Sequence, residues 1–514
     1  MLVGANIVVA ICILSGAAVY GYVRLKIDSI RTLAAPHLSK TLNGAIDSSG
    51  GLTPENILLI GNQSRADISS SEIQAFGSPQ SLSGSLSDVI MILHVDPAKN
   101  SASLLSIPRD LFVPMPPGSP VGPYQKIDAA LNDGKKGPDN LIQAITTDFG
   151  IPINHFVELQ FDGFQGTVNA LGGINVYFPE PLYDKQSGLW VASPGCTHLS
   201  GAAALALVRA RHLQYDPPGD NAPRSSWPYD PESDLSRIVR DHTFLRILAT
   251  TAKSQGLTNP ITLNSFLGAV INQITVDPAL KAQLISVASH YRHINPDSIP
   301  ELTLPVTTVG GATGYYYGGA NIGDVDFPVQ PADNQVIAQW DSSALPAPQP
   351  PTQVNVFNLA GGYNLASKTS GALRADGVAA VTAGDKPVPA SITETFVDYP
   401  AEAGGLAQAI YVSNLLSGSV MLRQQPNLPA GTIDVEAGSL LAVVPPASAV
   451  AAPPGTGAPP STAPGMTVAT NQSRSGAGTS LAAPTPGGQK PSSASDQNQP
   501  WDPSACPAKP AASR

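Results

Sequence analysis

Between residues 55 and 343, short apolar stretches that stop at glycine or proline alternate with segments of helical spacing, so the region can only fold as a sheet with helices packed on it. Asn56-Ile-Leu-Leu-Ile-Gly61 has the pattern of a buried strand whose carboxyl end opens into a loop. Further strands are predicted at residues 89–95, 101–107, 155–161 and 172–178, and helices at 138–149, 164–171, 201–210, 235–254, 263–274 and 280–290. The predicted class is α/β, a central mixed sheet flanked by helices. Residues 213–233, dense in Pro, Asp and Ser, read as loop, and Tyr315-Tyr-Tyr317 as part of an edge hairpin.

On either side of this domain (55–343) the pattern changes. Residues 1–23 carry no charge and, at about 1.5 Å per residue, can cross a bilayer core of roughly 30 Å, so they read as a transmembrane anchor. Residues 24–54 form a stalk. A Pro-rich linker (344–352) leads to a second small α/β unit at 353–444, with strand-like Val354-Asn-Val-Phe-Asn358 and a helix over 365–375. From 445 to 514 the chain is Ala, Pro, Gly, Ser and Thr with almost no bulky apolar residue, a composition that predicts disorder.

The balance of 28 basic against 38 acidic side chains, net −10, argues against nucleic acid as a partner, so any phosphate site must be local. Of the three cysteines, Cys12 lies in the apolar run; Cys196 and Cys506 either bridge in an oxidising compartment or remain two thiols.

Four clusters could carry chemistry. Ser106-Ile-Pro-Arg-Asp110 ends the third strand, where open α/β sheets take ligands, and the Arg109 guanidinium can fork onto phosphate oxygens; a surface pair of Arg109 with Asp110 explains the segment equally well. Arg209 and Arg211 share no helical face, so they converge on one ligand only where their helix stops, or else merely complement its dipole. Arg237 and Arg240 lie three apart on one face of a helix opened by Ser233 or Asp234, near the end that favours anions; a solvated charged face is the plainer explanation. Asp88 at a strand entrance could bind Mg²⁺ or simply cap a turn, and Lys126 is a candidate point charge.

In this order, Asn56–Gly61, Ser87-Asp88, Ser106–Asp110, Lys126-Ile127, Phe161-Asp-Gly-Phe164, Leu171-Gly-Gly-Ile174, Leu199-Ser-Gly-Ala202, Val208–His212 and Asp234–Arg240 make residues 55–343 resemble the LytR-CpsA-Psr family of envelope proteins. The resemblance implies an outward-facing phosphotransferase that moves a glycan from a polyprenyl diphosphate onto peptidoglycan with Mg²⁺. Arg109, Arg209, Arg211, Arg237 and Arg240 would then line the diphosphate pocket, with Arg65, Lys126 and Asp234 on the substrate and Asp88 on the metal. Phe156, Phe161 and Phe164 would wall a lipid tunnel. Residues 354–444 resemble the C-terminal domain of actinobacterial members, for which arabinogalactan or a similar glycan is the implied polymer. An outward domain runs against a literal positive-inside count, because Arg24, Lys26 and Arg31 follow the apolar run.

The resemblance breaks at three places. Gln63 stands where the family carries a metal-holding Asp in its Gly-x-Asp-x-Arg loop, so Mg²⁺ should bind more weakly unless Asp67 substitutes; Leu86 and Asp241 replace a usual Arg and Gln. A scaffold that binds lipid-linked glycan without transfer, and a polyprenyl-diphosphate hydrolase, are therefore the competing functions.

Overall fold

The computed structural model describes residues 21–38, 53–62, 87–217, 219, 223–231, 234–256, 260–271, 273–291, 294–359, 364–386, 393–439, 441–443 and 499–507. Of the predicted anchor at residues 1–23, positions 1–20 lie outside the described residues; 21–28 are helical, and among the described residues no helix is long and apolar enough to cross a membrane.

The strands that matter for the site run in chain order as β1 (Arg31–Thr32), β2 (Glu55–Asn62), β3 (Ser87–Asp96), β4 (Ser101–Ser106), β5 (His155–Gln160), β6 (Ile174–Phe178), β7 (Leu182–Asp184), β8 (Leu189–Val191), β9 (Gly195–Leu199), β10 (Gln214–Tyr215), β11 (Ile274–Val276) and β12 (Glu301–Thr303). The helices are α1 (Gly137–Phe149), α2 (Phe161–Ala170), α3 (Gly201–Val208), α4 (Asp234–Thr251), α5 (Pro260–Ile271), α6 (Pro278–Tyr291) and α7 (Ala332–Trp340). Seven strands form one mixed sheet in the order β1-β11-β5-β2-β3-β4-β12. β2 is parallel to β5 and antiparallel to β3, and β3 is antiparallel to β4.

Register decides what each face carries. Leu58, Ile60, Ile90, Ile92, Leu105 and Phe156 share a core with Leu141, Ile142 and Ile145 of α1 and Val336 and Ile337 of α7. The opposite face carries Ile57, Val95 and Ala102 against Ile271 of α5 and Leu280 of α6. On that second face Leu59, Leu93 and Val157, on the three adjacent strands β2, β3 and β5, are only partly buried although helices pack against them. These three side chains form a partly buried apolar floor on the α5 and α6 side of the sheet. Phe156 does not belong to that floor: it points to the other face, its neighbour Val157 taking the α5 and α6 side by the two-residue period of a strand. Phe164 belongs to a third cluster, its ring 4.7 Å from that of Phe244. The Phe161 side chain lies outside the described residues.

Glycine and capping chemistry fix the local turns. The Ser200 hydroxyl accepts from the Ala203 amide at the start of α3, and a Cβ at Gly201 would collide with the Gln165 carbonyl of α2. α3 ends at Val208, two residues before its predicted limit; Arg209, its C-cap, still donates to the Leu205 carbonyl, and Arg211 lies beyond the helix.

Residues 353–443 form a separate five-stranded sheet, β13 (Gln353–Asn358), β14 (Ala380–Asp385), β15 (Thr395–Pro400), β16 (Val420–Gln425) and β17 (Thr432–Ala437), in the order β14-β13-β17-β15-β16. Helices α8 (Leu365–Ala375) and α9 (Gly405–Ser413) accompany it. It docks on the first domain through Phe396 and Met421, which join the core around α1, and through Arg423, which donates to the Tyr124 hydroxyl at 2.9 Å.

Two expectations are overturned. The stretch 213–233 is not all loop: β10 pairs with β7, and β7 with β8. The tail is not disordered throughout, because β18 (Ser504–Ala505) adds to the edge of β6 and Cys506 bridges to Cys196, with 5.7 Å between their Cα atoms. Composition missed this segment because its order comes from one added strand and one covalent bond, neither of which needs a core of its own.

Candidate functional site

One end of the central sheet gathers the predicted segments. Ser106 at the end of β4 lies opposite Met91, Gln160 lies beside Asn62, and Asn62 pairs with Ser87, so the turn after β4 and the entrance of β3 with Asp88 open on the same edge. The Asp88 and Asp234 side chains, and Gln63, Arg65, Asp67 and Leu86, lie outside the described residues.

At this edge Asp110 is the hub of a basic group. Its carboxylate accepts from Lys126 Nζ at 2.7 Å, and Arg109 Nε and Arg211 Nη2 stand 3.4 and 3.9 Å from it. The surface-pair explanation of Arg109 fails, because that side chain is 8 % exposed. Arg211 keeps 41 % of its side chain in solvent, at the open side of the group. Three cations around one carboxylate leave a net positive site inside an acidic protein, the local arrangement a phosphate needs.

A second group sits behind the first. Arg240 Nη1 reaches Asp230 at 2.9 Å and Asp502 at 3.5 Å, and Nη2 donates to the Ala210 carbonyl at 2.8 Å. Ala210 stands between Arg209 and Arg211, so Arg240 ties α4 to the limb that carries both. Ser236 donates to the other Asp230 oxygen, and the Asp230 amide donates to the Leu213 carbonyl. Arg237 is buried one turn before Arg240, and Asp241 is buried as well. His242 shares a 2.6 Å hydrogen bond with Ser106, locking α4 onto the end of β4 three residues before Arg109.

Asp230, His242 and Asp502 were not foreseen as partners, and Asp110 was foreseen only as that of Arg109. Asp502 arrives from the tail, where Trp501 stacks on Tyr215 at 3.7 Å, and burial pushes its carboxyl up to about 6 against the pull of Arg240. A lone Trp-Asp-Pro in a segment otherwise poor in bulky apolar residues was the one available signal.

Among the described residues no group of three His, Cys, Asp or Glu could hold a metal ion. Asp110 is already engaged by cations, so no described carboxylate here offers a metal seat, and the Mg²⁺ expectation stays with Asp88.

A basic group gathered at one end of the sheet is a site for an anion. The LytR_cpsA_psr family model matches residues 21–325, more than half of the chain, and the chain belongs to that family. A second model, described as LytR cell envelope-related transcriptional attenuator, matches residues 352–439. The chain is 32% identical over 222 residues to the probable cell wall biosynthesis protein LcpB of Corynebacterium glutamicum, covering 43% of this chain and 48% of that protein. It is 35% identical over 129 residues to the polyisoprenyl-teichoic acid–peptidoglycan teichoic acid transferase TagV of Bacillus subtilis, covering 24% of this chain and 32% of that one. The alignments thus span about half the length of the first relative and a third of the second. A solved LytR-Csp2A-Psr enzyme from Actinomyces oris aligns at 23% identity and a TM-score of 0.43, over 60% of this chain and 95% of its own.

Proposed function

We propose that this envelope-associated chain is a phosphotransferase that moves a cell-wall glycan from a polyprenyl diphosphate onto peptidoglycan through a phosphodiester. The observation that carries the reading is the Arg109, Lys126 and Arg211 group gathered on Asp110 at the end of the sheet, cations for a diphosphate; the partly buried Leu59, Leu93 and Val157 of the same sheet would offer apolar surface to a prenyl chain. The names of its relatives, which include a wall-biosynthesis protein and a teichoic acid transferase, support the same chemistry.

In the reaction an acceptor hydroxyl oxygen bonds to the glycan-linked phosphorus while the bond from that phosphorus to the bridging oxygen breaks. The bridging oxygen keeps the electron pair and leaves as lipid monophosphate, and the hydroxyl proton passes to solvent. Arg109, Arg211 and Lys126 would neutralise the charge that grows on the phosphoryl oxygens, with Asp110 holding all three at fixed angles. Arg209 and Arg237 would complete the cradle. Arg240, whose bonded donors all go to protein groups, would position the Arg209–Arg211 limb instead of touching substrate. Mg²⁺ at Asp88 belongs to the same proposal, and no step is routed through it.

The test is a purified-chain assay with a lipid-linked glycan analogue and a peptidoglycan acceptor. Glycan transfer that falls about 10²-fold or more in Arg109→Ala is the expected result. Binding without turnover would support the scaffold instead, and lipid phosphate released without glycan reaching the acceptor would support the hydrolase.

A further inference from the structure

Beside the arginine limb stands a patch of aromatic rings that the phosphate chemistry leaves unused. β8, β7 and β10 form a small sheet in which Trp190 pairs with Tyr183 and Tyr183 with Gln214. Trp190 is 51% exposed, and Tyr229, bridged to the same strand at Gln214, is 62% exposed. The Trp190 ring lies nearly parallel to that of Trp227, with centroids 6.1 Å apart, and edge-on to Tyr183 at 5.9 Å. The Arg224 guanidinium sits over Tyr183 at 4.2 Å and Trp190 at 5.2 Å, holding the rings in place by cation–π attraction. Leaving two large aromatics this wet costs hydrophobic free energy that an inert surface would not spend, and such patches mark binding sites.

The patch is coupled to the catalytic end. Asp184, next to Tyr183, accepts from the His212 amide at 2.8 Å, directly after Arg211. Asp230, next to Tyr229, holds Arg240. A ligand on these rings therefore sits within one residue of both anchors of the Arg209–Arg211 limb.

We infer that the exposed Trp190 and Tyr229 rings, held from behind by Tyr183 and Arg224, are the acceptor-glycan surface, where a peptidoglycan strand lies on the rings and presents its hydroxyl to the phosphate site. A pyranose ring turns a face of C–H bonds toward an aromatic π-face, whose negative quadrupole attracts them, while its hydroxyls stay in water, so half-exposed Trp and Tyr suit a sugar polymer better than a protein partner. The acceptor is favoured over the donor by position. The small sheet shares its core with α3 and α4, through Leu182, Leu189 and Leu213, whereas the core residues Ile271 of α5 and Leu280 of α6 lie in the other cluster, against the apolar floor. A lipid on the floor would therefore lie in a different packed cluster from these rings, which leaves them to the second substrate. The inference rests on the transferase reading above and names its second substrate surface.

The experiment measures two affinities on the full chain in detergent: co-sedimentation with lipid-free peptidoglycan sacculi, and binding of a short polyprenyl diphosphate. Trp190→Ala and Tyr229→Ala should weaken sacculus binding about five- to tenfold each, leave diphosphate binding unchanged, and be rescued largely by Trp190→Phe. Unchanged sacculus binding in both variants, with diphosphate binding intact, would overturn the platform. So would a loss confined to a lipid-linked glycan, which would hand the rings to the donor. A wild-type chain that binds no polyprenyl diphosphate would overturn the transferase reading beneath it.

Discussion

The two halves of the arginine site use one side chain for opposite purposes. Around Asp110 the Arg211 side chain is 41 % exposed, with the 8 % exposed Arg109 behind it; around Asp230 the Arg240 guanidinium is 0 % exposed and held by two carboxylates and a carbonyl. A buried cation surrounded by protein acceptors holds a frame, whereas one with donors facing solvent can meet an anion. The count of arginines in a motif therefore says less than the identity of what each one already holds.

The sharpest way to break this comparison is to remove one arginine from each half. Arg240→Ala leaves Asp230 and Asp502 buried without their counter-charge and should cost ~3–5 kcal/mol of stability, read by thermal or denaturant unfolding. Arg211→Ala should do the reverse: transfer falling about 10²-fold or more, stability changing by less than ~1 kcal/mol. If both variants lose stability equally, the division between frame and site is wrong.

The tail offers the next contrast. Cys506→Ser, or reduction of the bridge to Cys196, opens a link across 310 residues that clamps Asp502 near Arg240, and should cost ~2–4 kcal/mol. Denaturant curves with and without a reducing agent check it, and a reducing agent should not change the Cys506→Ser curve.

The smallest effects are pH effects, and they have opposite origins. His155 is pulled down by burial, but Asp277 at 3.1 Å and Glu55 at 3.6 Å outweigh this and hold it up at about 9. A raised histidine stabilises the fold fully below its unfolded value near 6.5 and loses that contribution as pH rises through about 9, so stability should decline over that window and the decline should vanish in His155→Gln. Asp502 is raised to about 6 by burial, so its protonated form favours the fold; stability from this group is full below about 3.9 and is lost as pH climbs through 6. Asp502→Asn should flatten that acid-side slope, measured by unfolding between pH 4 and 7.

Much of the framework could be read from residue pattern, because periodicity and end signals are local. Asn56–Gly61 falls inside β2, α8 spans the predicted 365–375, and the helix carrying Arg237 and Arg240 begins at Asp234. What could not be read was pairing across the chain. Phe156 and Val157 alternate on any strand, but which faces the apolar floor depends on what packs above each. Asp502 lies in a segment whose composition signals disorder, and the strand added to β6, the bridge to Cys196 and the stack of Trp501 on Tyr215 bring it near Arg240. Lys126 was named as a point charge, yet its engagement with Asp110, sixteen residues away, appears only once the turns are folded.

The most direct test measures binding of a polyprenyl diphosphate to the purified chain and to its Arg109→Ala and Arg240→Ala variants, with folding checked by circular dichroism. The account predicts that Arg109→Ala stays folded and loses at least tenfold in affinity, while Arg240→Ala loses affinity only to the extent that it loses structure. Unchanged affinity in folded Arg109→Ala would contradict it.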